Sequence, residues 1–272
     1  MPSKPKLGQN FLVDVQAAQR IAVALGELTG RTVVEIGPGQ GAITGTLAVR
    51  SGRVVVIELD RELAADLRGQ FEPERVTVVE QDVLQFDFSA AAQEAGERLR
   101  VAGNLPYYIT SSILLKLAAS HAALDLAVLM VQREVADRVT AAPGSRDYGL
   151  LSVTAQMYGP VEQLFTLPPS AFSPPPQVHS SVIRWRFAPR FAELGVEEAG
   201  FQRFLRQAFA QKRKTLANNL RAAGVAPAAA AAALSLSGID LNARAEAVPI
   251  EGLAALWRGL KNSDSGGIRR NP

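Results

Sequence analysis

Thr32-Val33-Val34-Glu35-Ile36-Gly37-Pro38-Gly39-Gln40-Gly41-Ala42 is the stretch on which the fold turns. Four of its first five residues, Thr32, Val33, Val34 and Ile36, are β-branched over the length of a strand. The glycines that follow interrupt regular structure, and Ile43 to Val49 then carries apolar residues at helical spacing. A strand, a glycine turn and a helix in that order open a βαβ unit, in which glycine lets the backbone approach a ligand closely at the helix start. Gly37, Gly39 and Ala42 satisfy the pattern G-x-G-x-x-A. Glu58 or Asp60 stands about 20 residues on, at the end of the next apolar run, where a carboxylate grips ribose hydroxyls. Taken alone, such a loop also serves as a plain tight turn.

Outward from this loop, short β-branched runs alternate with helical stretches, the pattern of an α/β chain with a mostly parallel sheet. Thr32 to Ile36, Val54 to Leu59, Val76 to Val79, Arg100 to Gly103 and Leu126 to Val131 are the expected parallel strands, with a helix over Leu63 to Phe71 between the second and third. Val161 to Leu167 and Ser181 to Phe187 flank a proline-rich link, Pro168 to Pro176, too long for a tight turn and too rigid for a helix. The sheet is therefore expected to end in two antiparallel strands. After Pro189 strand signals stop, and Phe201, Phe204, Leu205, Ala208, Phe209, Leu216 and Leu220 fall on one helical stripe. The expected division is a sheet domain over 1–195 and a small all-helical carboxyl-terminal domain over 196–272. Ala228 to Ala233 reads as plain helix, and the tail from Ser263 to Pro272 as frayed.

Composition narrows the chemistry. With 47% hydrophobic and 20% charged residues in 272, the chain is a globular protein and not a disordered one. It has no cysteine, so disulfides, thiolate zinc sites and cysteine nucleophiles are excluded. His121 and His179 are the only histidines, too few for most metal constellations, so no metal is expected. Both read as structural. No apolar run approaches the ~18 residues needed to cross a bilayer, and Met1 to Lys6 lacks an apolar signal core, so a cytoplasmic location and no membrane partner are expected. Up to position 195 there are 18 basic and 20 acidic residues, and beyond it 11 and 6. That basic excess points to a polyanion such as nucleic acid.

Glycines alone do not separate a nicotinamide dinucleotide from S-adenosylmethionine. Asn104-Leu105-Pro106-Tyr107, at the end of the fourth expected strand, does. An amide oxygen and a proline-fixed backbone carbonyl both accept from an exocyclic amine, while the tyrosine ring stacks on its base. Two acceptors on the amine hydrogens turn the nitrogen lone pair toward an incoming methyl group, and no general base is needed before attack. By itself Asn-x-Pro-Tyr is also an ordinary strand-ending turn. After the glycine loop and the strand-end carboxylates it reads as a base amine site.

Together with Leu7 to Leu12, Glu58-Leu59-Asp60, Asp82-Val83-Leu84, Phe172 to Pro176 and Gln211 to Leu216, these motifs resemble the ribosomal RNA adenine N6,N6-dimethyltransferases of the KsgA type over nearly the whole chain. The departures are the alanine-rich segment before Gly238-Ile239-Asp240 and the carboxyl-terminal extension. The resemblance implies a Rossmann-like class I methyltransferase sheet and S-adenosylmethionine as cofactor. It implies that Asn10 and Leu12 close over the cofactor, Gly37 lies under its methionine part, Glu58 binds the ribose and Asp82 meets the adenine edge. Asn10 and Asp82 have helix capping as their alternative roles. Phe172 is expected as the wall of the base pocket opposite Tyr107, and Lys212-Arg213-Lys214 with its helix as a phosphate grip, though phenylalanine is often core and basic helix faces are often merely solvated.

The expected reaction is direct transfer of methyl groups to two adjacent adenosines near the 3′ end of 16S ribosomal RNA, in a precursor of the small subunit, by a monomer. Its rivals are a large-subunit methylase of the macrolide-resistance type, a non-catalytic RNA-binding assembly factor, and a nicotinamide dehydrogenase. The full Phe-Ser-Pro-Pro-Pro segment and Gly238 to Glu246 favour the small subunit, and an intact Asn104 to Tyr107 argues for chemistry.

Overall fold

A computed structural model describes residues 9–265; Met1 to Gly8, and with them Leu7-Gly8 of the family-like segment, lie outside the described residues, as does the tail beyond 265. The chain runs β1 (Phe11–Leu12), α1 (Val15–Ala24), β2 (Thr32–Ile36), α2 (Thr44–Arg50), β3 (Arg53–Glu58), α3 (Arg61–Gln70), β4 (Val76–Glu80), α4 (Phe88–Ala95), β5 (Leu99–Asn104), α5 (Thr110–Ala119), β6 (Leu124–Gln132), α6 (Arg133–Val139), α7 (Leu150–Met157), β7 (Val161–Leu167), β8 (Phe172–Ser173), β9 (Ser180–Arg186), α8 (Glu198–Ala208), α9 (Leu216–Ala222), α10 (Pro227–Leu236) and α11 (Ile250–Ser265). The seven long strands fall within two residues of the runs read from the sequence. Helix α11 continues through Ser265, so the first residues of the expected frayed tail are helical.

Two compact units result. The first comprises the residues up to Asp137 together with Pro160–Ala188, and the second comprises Arg138–Gly159 and the residues from Pro189 on. The division drawn on the sequence at 195 therefore differs in two respects: the boundary falls after Ala188, and the segment around α7 packs with the carboxyl-terminal helices. Its ties are long-range. Tyr148 is 1% exposed and donates to the Val248 carbonyl at 3.3 Å, the Gly144 amide donates to the Glu246 carbonyl at 2.8 Å, and the Tyr158 hydroxyl donates to Glu198 at 2.7 Å. Within this unit α8 buries Phe201, Phe204, Leu205 and Ala208, and Phe201 stacks on Phe204 and meets Trp257 edge-on.

In the first unit the sheet order is β4-β3-β2-β5-β6-β9-β7. The first five strands are parallel, β9 is antiparallel to β6, and β7 is antiparallel to β9, which bears out the expected end of the sheet. β3 reads as a nearly unbroken apolar run because helices cover both sheet faces. On one face Ile21, Leu25 and Leu28 pack over Val33, Val54, Ala102, Val128 and Val182, which come from five strands. Chain direction reverses at β2. The path steps outward to β3 and β4 and then returns to lay β5 on the other side of β2, so a crevice opens between the carboxyl ends of β2 and β5.

Those two strands meet in register, Ile36 opposite Gly103, and a Cβ on Gly103 would stand 2.6 Å from the Ile36 carbonyl oxygen. Backbone would have to move to admit it. Gly103→Ala should lower the free energy of unfolding by about 1–3 kcal/mol, the cost of overpacking a rigid interior. Gly69→Ala, on a helix with nothing within 4 Å of the new methyl group, should raise it by roughly 0.5–1 kcal/mol. Urea denaturation of the two variants beside the parent checks the pair.

Candidate active site

The glycine loop leaves β2 into the crevice. The Gly37 amide donates to the Ile57 carbonyl at 3.0 Å, and Gly37 and Gly39 sit at φ +62° and +56°, where a side chain is strained. Space is also closed at Gly39, since a Cβ there would lie 2.8 Å from the Phe11 ring. A Cβ on Gly37 would touch the Asn104 carbonyl at 3.4 Å. The result is a cleft of about 270 Å³ lined by Gln9, Asn10, Phe11, Gly37, Gly39, Glu58 and the run from Asn104 to Tyr108. Eight of the expected site residues, Asn10, Gly37, Gly39, Glu58, Asn104, Leu105, Pro106 and Tyr107, thus share one concave surface.

Two carboxyls stand beneath the loop. Glu58 is 4% exposed, and its Oε2 accepts from the Gly39 amide at 3.2 Å while Oε1 accepts from the Asp60 amide at 3.0 Å. Burial pushes its pKa up, and these backbone donors oppose that shift. Between the two carboxylates that the spacing left open, Asp60 is occupied at the start of α3, where its Oδ1 accepts from the Glu62 and Leu63 amides. Glu35 was not among the expected site residues. It is fully buried, accepts from the Thr44 hydroxyl at 2.6 Å, and is pushed up to about 8 by burial, with the Glu58 charge adding to the shift. The sequence signal was a carboxylate inside an otherwise apolar strand.

The opposite wall is the end of β5. The Asn104 Nδ2 donates to the Asn10 carbonyl at 3.0 Å, which leaves the amide oxygen as the free acceptor end of that side chain. The Leu105 amide donates to the Met130 carbonyl at 2.9 Å and ties the run to β6. Pro106 then opens a 3-10 turn over Tyr107–Ile109, whose carbonyl accepts from the Ile109 amide at 3.2 Å and the Thr110 hydroxyl at 2.9 Å. Tyr107 is half-buried, and its hydroxyl shares a 2.6 Å hydrogen bond with the hydroxyl of Ser180, a wholly buried residue at the start of β9. Burial raises the Tyr107 pKa, so the phenol stays neutral. Ser180 was invisible to local reading because its partner lies 73 positions away.

The remaining expected residues do not line this cleft, though Leu12 lines a small adjoining cavity with Phe11, Gly37, Gly39 and Asn104. Leu12 and Phe172 are opposite one another in the β1–β8 pair, both in the apolar cluster of the core, and Phe172 is 3% exposed and does not line the cleft. Asp82 caps a 3-10 turn over Val83–Gln85 by accepting from the Leu84 amide at 2.9 Å, the alternative role its position offered, and does not line the cleft either. Asn10 caps no helix; Asp14 takes that position on α1, accepting from the Ala17 amide. In the second unit Lys212, Arg213 and Lys214 are exposed but sit on the turn between α8 and α9 and not on a helix. The turn is held by Asn219, 3% exposed, whose Nδ2 donates to the Ala208 carbonyl at 2.7 Å and the Gln211 carbonyl at 3.3 Å. The His179 carbonyl accepts from the Arg133 amide, and His121 Nδ1 lies 3.0 Å from the Ala118 carbonyl.

A doubly wound sheet with a glycine loop after β2 and the run Asn104-Leu105-Pro106-Tyr107 after β5 has the class I methyltransferase fold. Within that class, residues 2–260 match the ribosomal RNA adenine dimethylase family, and the chain belongs to it. Similar proteins include the ribosomal RNA small subunit methyltransferase A of Acidobacterium capsulatum, 61% identical over 95% of this chain and 92% of that one. The protein of the same name from Koribacter versatilis is 51% identical, over 95% and 94% of the two chains. Among solved structures, the 23S rRNA methyltransferase ErmE is 26% identical with a TM-score of 0.71 over 93% of this chain and all of that one. A Plasmodium falciparum dimethyladenosine transferase shares the fold, with a TM-score of 0.77 at 20% identity over 93% and 98%.

The buried Glu35 carboxyl carries a consequence for stability. Its folded pKa lies above the unfolded value of 4.5, so the native state keeps a proton that the unfolded chain releases. Its contribution to stability therefore falls as pH rises from about 4.5 to about 8 and levels off above. Glu35→Gln preserves an acceptor for Thr44 and removes the titration. Unfolding free energies across that window should decline less steeply for the variant than for the parent; parallel declines would show that Glu35 is not the group responsible.

Proposed function

We infer that this protein transfers methyl groups from S-adenosylmethionine to the exocyclic N6 of adenine in small-subunit ribosomal RNA and dimethylates two adjacent adenosines near its 3′ end. The observation that carries the reading is the Asn104 amide. Its nitrogen is tied to the Asn10 carbonyl, which leaves the oxygen as its acceptor end, and the residue lines the same cleft as the glycine loop and Glu58. The small-subunit target rests on relatives of that name at 61% and 51% identity, against 26% for the large-subunit enzyme. The further proposals are a cytoplasmic monomer, a small-subunit precursor as substrate, and a helical unit that docks RNA.

The cleft fits the cofactor. Side chains are disfavoured at Gly37 and Gly39 by positive φ, and at Gly39 also by the Phe11 ring, which leaves main-chain groups open to a close ligand. Glu58, with a backbone amide on each oxygen, keeps further lone pairs for a diol. Asn10 and Phe11 border the same cleft, with Leu12 beneath them. Asp82 is proposed at the adenine edge through the oxygen that does not cap Val83–Gln85. When bound, the cofactor supplies a methyl group already activated on a sulfonium.

What the chain supplies is placement. Asn104 Oδ1 and the Leu105 carbonyl accept the two amine hydrogens and so direct the nitrogen lone pair, and Pro106 fixes the backbone that carries the second acceptor. Tyr107 stacks on the extruded base with its hydroxyl held by Ser180. Phe172 reaches the base only if it leaves the apolar cluster. As it stands, it is paired opposite Leu12 in the β1–β8 ladder, and both side chains belong to the apolar cluster.

Small subunits from cells lacking the gene are the substrate for the decisive assay, with mass mapping of methylated adenosines as readout. Wild-type protein should add two methyl groups to each of two adjacent adenosines, and no transfer to small subunits would sink the reading. Asn104→Ala should leave cofactor affinity within a few fold and lower the single-turnover rate by roughly 10²-fold, the scale of one lost positioning group. Glu58→Ala, its counterpart, should weaken cofactor binding by ~1.5–3 kcal/mol by calorimetry, the scale of a charge-assisted hydrogen bond.

The basic turn gives a separate expectation. Neutralising Lys212, Arg213 and Lys214 together should weaken RNA binding for all sequences alike and flatten the slope of log affinity against log salt by up to ~2–3 units. Cofactor affinity should not change. A triple variant that kept the wild-type salt slope would place the phosphate contacts elsewhere.

A further inference from the structure

Tyr108 stands apart from every other aromatic side chain in the first unit. It lines the cleft beside Pro106 and Tyr107, yet it is 62% exposed and is the single aromatic among the exposed large apolar side chains of the described residues. The short 3-10 turn that begins at Tyr107 separates the two neighbours. Tyr107 is half-buried and tethered at its hydroxyl to Ser180, while Tyr108 opens to solvent at the mouth of the same cleft. A large ring kept in water beside a ligand site has apolar surface to gain from an incoming partner.

The reaction inferred above, on which this inference rests, determines that partner. Its substrate is a polymer, so a base drawn into the cleft has a nucleotide on each side, and extrusion of the target deprives those neighbours of one stacking partner. We propose that Tyr108 is a stacking platform for the nucleobase adjoining the target adenosine, a second base subsite at the rim of the cleft. Every base has a π-face, so the platform adds affinity without reading sequence. It also holds the adjoining nucleotide within reach of the acceptors, which suits an enzyme whose second target is the neighbour of its first.

The test compares Tyr108→Ala, Tyr108→Phe and Tyr108→Trp with wild type on small subunits from cells lacking the gene, reading KM for subunits, the distribution of methyl groups over the two adenosines, and cofactor affinity. Loss of one base stack should raise KM for subunits roughly tenfold in the alanine variant. Phenylalanine and tryptophan should restore it, and cofactor affinity should stay at the wild-type value throughout. An alanine variant with KM within twofold of wild type would overturn the proposal. So would failure of phenylalanine to restore binding, since the contact would then belong to the hydroxyl, or a loss confined to cofactor affinity. These outcomes presuppose a wild type that methylates subunits; its failure to do so overturns the functional reading and this subsite with it, and the wild-type lane alone distinguishes the two cases.

Discussion

The pairing of β2 with β5 is the constraint on which the site depends. Ile36 lies opposite Gly103 with so little room that no side chain fits at the glycine, and the residues that follow each strand are therefore brought side by side. Gly37 follows Ile36 and Asn104 follows Gly103. The glycine loop and the run from Asn104 are thus neighbours because two strands sixty-odd residues apart in sequence share a register (Ile36 with Gly103). A one-residue slip would turn Asn104 to the other side of the sheet and leave the glycine loop facing the wrong carbonyl. Parallel strands hold such a register firmly because both faces are buried and each residue has its assigned layer.

On that frame the polar groups of the cleft are held by backbone more than by each other. Glu58 is fixed by two amides, Asn104 by the Asn10 carbonyl, Leu105 by the Met130 carbonyl. Backbone partners in sheet and turn do not change rotamer, so each of these side chains presents one face to the cleft. That suits a reaction in which the donor methyl is activated before it arrives and the protein has only to aim a nitrogen at it. Tyr107 follows the same logic through Ser180, whose backbone is paired on one side with Gln132 of β6 and on the other with Leu167 of β7.

Much of this was legible in the chain. The glycine loop, the strand ends at Glu58 and Asn104, and the antiparallel edge all announce themselves through local pattern, because β-branched runs and glycine breaks are properties of adjacent residues. What was hidden is non-local. Two-residue strands such as β1 and β8 carry no periodicity, and their pairing joins Phe11 to Ser173. Phe172 therefore read as an exposed pocket wall, when its bridge to Leu12 buries it. The segment around α7 falls within the expected sheet domain by its place in the chain alone, and the ties of Tyr148 and Tyr158 to the carboxyl-terminal helices decide otherwise. The basic run at Lys212 reads as helix by continuing the stripe of α8, yet Thr215 starts α9 afresh by accepting from the Asn218 amide, and the cluster falls in the turn before that cap.

The shortest element of the fold accordingly has the widest reach. Within three positions, Asn10 gives its carbonyl to Asn104, Phe11 lays its ring on Gly39, and Leu12 enters the core opposite Phe172. Three consecutive residues therefore touch the glycine loop and the Asn104 amide at once. The backbone pairing of β1 is too short to be stable alone, so it depends on Leu12 and Phe172 in the apolar cluster and on the Val13 and Asp14 amides donating to the Ala171 carbonyl. A shift of β1 that admitted or released a ligand over Gly39 would move the Asn10 carbonyl, and with it the group that orients the Asn104 amide. Asn10, Phe11 and Leu12 in this way tie the Asn104 amide, the glycine loop and the apolar core to one short stretch of backbone.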